Sequence, residues 1–415
     1  MATLVKWLRE EGRMRMQNQL RTTQKQEPRA RIRIYLPKTV RLRDYQIEAL
    51  KAWYRSNGRG IVILPTGTGK TFVGSAIAYQ FYREKKRVAI LVPTQHLAHQ
   101  WLEHFEKWYG IKCGIWYAEK KKVDFITVVV YNSALMRAER VVMNAHLVVI
   151  DEIHHFGADR LYKLLYKVRD KKLLGLTATL TRSDGRHHLI KSILPVVYVM
   201  GVDVASERGI VAKTEVIGVP VTLSFEYRVV YDDLSRAIAR YKEAYEDTGD
   251  EELKRRMMIL VNKRKQLLAE VPDKLGAVLR IVREEEGKKI LVFTESIRSA
   301  EAVADFLRRN GVMAGVYHSK MTLSKRREAL DKWGRRYNVL VAVRALDEGI
   351  DVPECSVGVI MATGTTTRQL VQRVGRIVRP RPGKVARIYV VFCRATHEER
   401  AYRVISKWFG SRPVF

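Results

Sequence analysis

The chain has 415 residues, room for two or three domains at ~100–200 residues each, and its 47% hydrophobic content excludes global disorder. Lys and Arg number 76 against 44 Asp and Glu, a formal charge of +32 that calls for a polyanion, nucleic acid first and an anionic membrane surface second. No apolar run approaches the ~20 residues of a bilayer span, and Cys113, Cys355 and Cys393 lie far apart outside any CxxC, which excludes a disulfide scaffold or a cysteine zinc site.

Residues 1–40 are rich in Arg and Lys, with Arg29, Arg31 and Arg33 alternating with Ala30, Ile32 and Ile34. Such a segment is either a basic arm without fixed structure or an accessory strand touching backbone phosphates. MATLVKWLREEGRMRM lacks a secretory apolar core, and Glu10 and Glu11 argue against a mitochondrial presequence. Scarce cysteine also suits a reducing compartment, so a cytoplasmic (nucleoid-associated) or nuclear address is expected.

From Arg41 a rhythm begins. RDYQIEALKAWYRS reads as a helix, GIVILP as a short buried strand, and TGTGKTFVGSAIAYQFYREKK as a glycine turn opening an amphipathic helix. RVAILVP is a strand and TQHLAHQWLEHFEKWYG a helix, and ITVVVYNS, AHLVVIDE and KLLGLTAT supply three more strands. The rhythm pauses near Met200 to Pro220 and resumes with charged helices from Asp232 to Ala269. KKILVFT, GVYHS, YNVLVAV, VGVIMAT and ARIYVVF then alternate with helical stretches around 299–310, SKRREALDKWGR and 369–378. Short apolar strands alternating with helices of ~10–15 residues predict an α/β protein with parallel sheets covered on both faces, in two similar lobes.

Pro65-Thr66-Gly67-Thr68-Gly69-Lys70-Thr71 stands between a buried strand and a helix. Gly67 and Gly69 allow backbone N–H groups to converge on an anion, and the helix start adds partial positive charge. Lys70 reaches β/γ-phosphates in such a turn and the Thr71 hydroxyl can ligate Mg²⁺. Leu64 occupies the place of the first glycine in the strict GxxxxGK[ST] pattern, and an ordinary glycine-rich strand–helix turn is the plainer alternative. In VVIDEIHH, Asp151 and Glu152 end an apolar strand, at the edge where ligands of open α/β sheets gather. Asp151 can hold Mg²⁺ through water and Glu152 can orient and deprotonate an attacking water, although strands often end in acids without function. His154 and His155 lack the i, i+4 spacing of a metal pair and are read as coupling or packing groups. In QRVGRIVR, Arg376 and Arg379 lie at i and i+3 on one predicted helix face, either as guanidiniums reaching a γ-phosphate or as a solvated basic face.

In this order the segments resemble superfamily two helicases and translocases, from about Arg41 to Ala395. LRDYQ is similar to the Q motif, LPTGTGKT to motif I, VPTQHLAHQW to motif Ia, DEIH to motif II and Thr177-Ala178-Thr179 to motif III. ILVFTES is similar to motif IV, DEGIDVP (347–353) to motif V and QRVGRIVR to motif VI. Within the superfamily the likeness is to the xeroderma pigmentosum group B branch and its archaeal relatives, through LRDYQ, DEIHHF and LGLTATLTRSDGR. That family's Arg-Glu-Asp element reads Arg182-Ser183-Asp184 here. Related restriction-type translocases share most of these marks.

The resemblance implies two RecA-like doubly wound parallel-sheet lobes in tandem with a helical thumb-like insertion. The expected divisions are a basic arm (1–40), an ATP-binding lobe (41–205), a linker (206–225), the insertion (226–275) and a second lobe (276–410). It implies ATP and Mg²⁺ between the lobes, with Lys70, Asp151, Glu152, Arg376 and Arg379 catalytic and Thr71 and Asp151 on the metal. Arg43, Gln46, Thr66, Gly67, Thr68, Gly69, Lys70, Thr71, Gly349, Asp351 and Gln372 are implied around the nucleotide, with Gln46 at the adenine. Thr177 and Thr179 are implied to couple the cleft to nucleic acid. Thr94, Gln95, Asn132, Ser133, Thr363, Thr365 and Thr366 are candidate nucleic-acid contacts, with helix capping and turn roles the alternative. The implied activity is ATP-driven movement on, or opening of, duplex or forked DNA, in DNA repair or processing. An RNA helicase, or an ATP-gated DNA-binding scaffold or restriction-type translocase without strand separation, is the alternative. A nuclease or repair protein is a possible partner, and a membrane is not.

Overall fold

The computed structural model describes residues 34–180, 185–211, 213–343, 355–361 and 385–408. The first lobe holds an eight-stranded sheet: β1 Arg59–Ile63, β2 Val88–Val92, β3 Gly114–Trp116, β4 Lys121–Lys122, β5 Ile126–Val130, β6 Leu147–Asp151, β7 Lys172–Thr177 and β8 Val196–Val199. Its strand order is β4-β3-β5-β2-β6-β7-β1-β8, parallel throughout except for the β3–β4 ribbon. VAILV, ITVVV and LVVID are buried at every position, because helices cover both faces of this part of the sheet.

The helices follow from capping and periodicity. Asp44–Arg55 buries Tyr45, Gln46, Ala49, Leu50 and Trp53, one stripe at helical spacing, and the Trp53 indole donates to the Leu173 carbonyl at 3.0 Å. Gln95–Tyr109 is capped by the Thr94 hydroxyl, which accepts the Leu97 N–H at 3.3 Å, and ends at Gly110 in the left-handed region. Its buried stripe is Ala98, Trp101, Phe105 and Tyr109. The basic arm ends earlier than residue 40: Val40 is buried, and the Thr39 hydroxyl donates to the Trp108 carbonyl at 2.6 Å.

The second lobe holds a six-stranded, wholly parallel sheet of β9 Lys213–Val221, β10 Ile290–Thr294, β11 Ala314–Tyr317, β12 Val339–Val343, β13 Val357–Met361 and β14 Val385–Cys393. The order is β11-β12-β10-β13-β14-β9. Strand β9 corrects the expected linker at 206–225: it pairs with β14 over nine residues, Lys213↔Val385 to Val221↔Cys393. Gly218 and Pro220 interrupt the apolar pattern of this stretch. Pro220 is tolerated because β9 is an edge strand, and Gly218 because any Cβ there would lie 2.7 Å from the Tyr402 ring.

Between β9 and β10 come two long helices, Phe225–Thr248 and Glu251–Ala269, turning at Gly249 in the left-handed region. The first is tied to the turn after β14. Arg228 donates to the carbonyls of Arg394 at 2.8 Å and Ala395 at 2.9 Å, and Tyr231 stacks on His397. The expected boundary at 275 falls inside the helix Pro272–Glu284, whose Ala277, Val278 and Ile281 join the core of the second sheet. That helix also carries Lys274, fully buried and paired with Glu398 at 2.7 Å.

Candidate functional site

Three adjacent strands, β1, β7 and β6, bring the first-lobe motifs to one edge. Ile63 pairs with Thr177, and Asp151 with Leu176, so the glycine turn, the Thr-Ala-Thr segment and the acidic pair all leave the sheet at neighbouring carboxyl ends. The turn is tight. Thr68 donates through its hydroxyl to the Pro65 carbonyl at 2.7 Å, and Leu64 N–H donates to the Thr177 carbonyl at 3.1 Å. Gly67 has φ +83° with open space where a Cβ would stand, and Gly69 has φ +79°. Helix Lys70–Arg83 then starts directly, presenting its N-terminal end to the turn. The Lys70 ammonium donates to the Leu64 carbonyl at 3.3 Å.

The helix Asp44–Arg55 buttresses the turn. Gln46 is buried; its Nε2 donates to the carbonyls of Thr68 at 3.0 Å and Gly69 at 3.3 Å, while its Oε1 accepts the Arg43 N–H at 2.9 Å. Tyr45 adds a 2.7 Å bond to the same Thr68 carbonyl. The exposed Arg43 guanidinium reaches the Tyr45 hydroxyl at 3.4 Å. Thr66 and Thr71 are half-buried on either side of the glycines.

At the end of β6 the Asp151 carboxylate is 7% exposed and both oxygens are engaged. Oδ2 accepts the Trp101 indole N–H at 3.0 Å and Oδ1 accepts the Glu152 N–H at 3.0 Å. Glu152 itself is left-handed, φ 52°, and swings the chain into the 3-10 turn Ile153–Gly157. Its carboxylate lies 3.2 Å from His154 Nδ1 and accepts from the Thr177 hydroxyl at 3.4 Å. His154 and Thr177 are 3.0 Å apart, and Thr177 also donates to the Thr179 carbonyl at 2.7 Å. The Tyr131 hydroxyl donates to the Asp151 carbonyl.

Electrostatics drive the two acids apart. Burial raises the Asp151 carboxyl and the neighbouring Glu152 adds to it, against the Trp101 bond and the Lys70 charge. Burial also pushes Glu152 up, but the His154 bond and the charge of Lys70 outweigh it and hold Glu152 below the usual carboxylate range. The donor chemistry fits Mg²⁺: the Thr71 hydroxyl and Asp151 carboxylate are hard oxygens. The unfilled left-handed glycine at 67 beside a helix start fits a phosphate chain.

Thr94 and Gln95 follow β2, and Asn132 and Ser133 follow β5, the next two strands beyond β6 along the same carboxyl edge (Val92↔Val130). Gln95 and Asn132 are exposed, while Thr94 also performs its capping role. Gly349, Asp351, Thr363, Thr365, Thr366, Gln372, Arg376 and Arg379, like Arg182-Ser183-Asp184, lie outside the described residues. Sequence reading missed Tyr45, Trp101 and Tyr131. Tyr45 stands beside Gln46 in the LRDYQ segment and Trp101 closes VPTQHLAHQW, but the bonds they make to Thr68 and to Asp151 are long-range and carry no local signal.

The family model described as type III restriction enzyme, res subunit, matches residues 39–182, and the helicase conserved C-terminal domain model matches residues 273–381. The DNA 3'-5' translocase XPB2 of Sulfurisphaera tokodaii is 30% identical over 368 residues, covering 85% of this chain and 82% of the relative. The DNA 3'-5' helicase XPB of Kineococcus radiotolerans is 26% identical over 373 residues, 86% of this chain and 61% of the relative. The Hef helicase domain of Pyrococcus furiosus superposes with a TM-score of 0.58 at 18% identity, over 87% of this chain and 97% of that one, a likeness of fold.

Proposed function

Because the chain belongs to the xeroderma pigmentosum group B family of superfamily two helicases and translocases, we propose that the carboxyl edge of its first sheet is the ATP-hydrolysing half of a DNA motor. The chain is an ATP-dependent DNA helicase or translocase and hence an ATPase. The observation that carries the site assignment is the register of β1, β7 and β6, which sets Lys70, Thr177 and the Asp151–Glu152 pair at adjoining strand ends.

In this reading the triphosphate lies along the Gly67–Thr71 turn, and Lys70 exchanges the Leu64 carbonyl for β/γ-phosphate oxygens. Thr71 and Asp151 would hold Mg²⁺, which when bound neutralises phosphate charge. Glu152, kept ionised by His154 and Lys70, orients water and accepts its proton. The substrate's negative charge, arriving beside it, raises its proton affinity toward that of a working base. The bonds from Glu152 to Thr177 and His154 give the catalytic carboxylate a direct link to the Thr177–Thr179 segment, the coupling element of the proposal. Arg376 and Arg379 would complete the pocket from the second lobe. DNA would track along Thr94, Gln95, Asn132 and Ser133, with backbone phosphates as the main contacts. An intracellular place of action, where ATP and DNA meet, follows from this reading; among the described residues no helix is long and apolar enough to cross a membrane.

The test is phosphate release by Lys70→Ala and Glu152→Gln proteins with and without duplex DNA. Both variants should lose at least ~100-fold in turnover while still binding DNA in a gel-shift assay. Full turnover in either one overturns the assignment.

A further inference from the structure

Trp101 is 1% exposed and stands in the helix Gln95–Tyr109, far in sequence from every phosphate-site motif, yet its indole N–H donates to Asp151 Oδ2 at 3.0 Å. With Oδ1 taken by the Glu152 N–H, this bond fixes the rotation of the carboxylate. A hydrogen bond to a buried carboxylate is charge-assisted and stronger than a neutral one. The far edge of the same indole fills the space over Gly74: a Cβ there would lie 2.8 Å from Trp101 Cη2 and 2.9 Å from Leu176 Cδ1. Gly74 is one turn along the helix that begins with Lys70 and Thr71, and Leu176 is one residue before Thr177. The ring is held on its own helix by Phe105, 6.0 Å away and stacked, and by His104. One rigid side chain therefore bonds the acid and packs over the phosphate-turn helix at Gly74.

We propose that Trp101 is a positioning residue for the metal-holding carboxylate of Asp151 and ties it to the helix whose first turn offers Thr94 and Gln95 to nucleic acid. The inference rests on the assignment of Asp151 to Mg²⁺ made above. A displacement of the Gln95–Tyr109 helix on engaging phosphates moves the indole, and a close-packed interior passes that movement to Asp151 instead of absorbing it. This route runs through the acid's side chain, independently of the Thr177–Thr179 segment.

The chemistry supplies a discriminating pair of variants. Trp101→Phe keeps an aromatic ring and loses the donor. Trp101→His superimposes its ring on the pyrrole half of the indole, with Nε2 where the indole nitrogen stood, and so keeps the donor while losing volume. The full chain is titrated with a fluorescent nonhydrolysable ATP analogue across a Mg²⁺ series and in EDTA, and thermal melting is recorded in parallel. For Trp101→Phe the Mg²⁺ concentration at half effect should rise about 10-fold, the usual cost of losing a partner behind a metal ligand, with affinity in EDTA unchanged. Trp101→His should lie closer to the parent than Trp101→Phe does. A folded Trp101→Phe protein with parental Mg²⁺ dependence, or a folded Trp101→His protein worse than Trp101→Phe, overturns the inference. Asp151→Ala separates the two levels: if it keeps the Mg²⁺ response, the metal assignment itself fails; if it loses the response while Trp101→Phe does not, only the role of Trp101 fails.

Discussion

Glu152 adopts a backbone conformation that side chains other than glycine rarely take, φ 52°, at the one point where the chain leaves β6 for the next turn. The left-handed region costs a non-glycine residue roughly 1–2 kcal/mol, and neighbouring groups hold it there: the Asp151 carboxylate on its N–H, His154 on its carboxylate, and Ile153 beneath. Ile153 is wholly buried, and its fit depends on Gly175 in β7, where a Cβ would stand 2.5 Å from Ile153 Cδ1 and 3.1 Å from its Cγ2. Gly175→Ala should therefore cost about 1–3 kcal/mol, the usual price of overpacking a filled core. Because Ile153 joins Glu152 to His154, turnover should fall by more than the folded fraction does. Urea melting and DNA-stimulated phosphate release on one preparation measure both, and parental values in both would show that the turn does not need this contact.

The elements most plainly written in the sequence are the ones buried on both faces. β2 and β12 are unbroken apolar runs, and β5, β6 and β10 carry one polar residue each, because all their positions are buried. β8 and β9 escaped notice for the opposite reason: both sit at sheet edges and are only partly buried, and β9 carries Gly218 and Pro220. The same division governs the site. The glycine turn and the acidic pair are local arrangements and legible as such, whereas the bonds from Trp101 and Tyr131 to Asp151 span 50 and 20 residues and exist only through the sheet order. His397, after β14, is another contact of this long-range kind. It packs on Tyr231 of the first long helix, and the Tyr231 hydroxyl accepts the His397 N–H at 3.0 Å. Burial, with Arg264, Lys265 and Lys274 adding repulsion, pushes its imidazole down to about 4 from an ordinary 6.5. An unfolded chain thus takes up a proton between those two values that the folded chain refuses, so stability falls as pH drops from 6.5 toward 4. His104, lowered by burial to about 4, acts in the same direction. His397→Gln should flatten part of the fall in melting temperature between pH 7 and pH 4.5 at fixed ionic strength. An unchanged slope would mean that His397 is already protonated in the folded chain.

Across the whole chain, a charge of +32 makes attraction to any polyanion unavoidable, so binding alone says little about the motor. Salt separates the contributions. Each DNA phosphate neutralised by the protein releases condensed counterions and steepens the dependence of log K on log salt by ~0.9. In the proposed site, turnover at saturating DNA would depend instead on the buried groups around Asp151 and Glu152, where screening is weak. Raising salt should therefore increase the DNA concentration needed for half-stimulation by orders of magnitude and leave the saturated rate nearly constant. The basic segment ahead of the first lobe can be tested on the same axis. If Arg29, Arg31 and Arg33 contact phosphates, substituting all three by Gln reduces the slope by up to ~3, weakens half-stimulation most at low salt, and leaves the saturated rate alone. Phosphate release titrated with duplex DNA at several salt concentrations reads all three quantities together. An unchanged slope in the triple variant would assign the phosphate contacts to the lobes, and a saturated rate that fell with salt as steeply as binding would contradict a hydrolytic site shielded within the first sheet's edge.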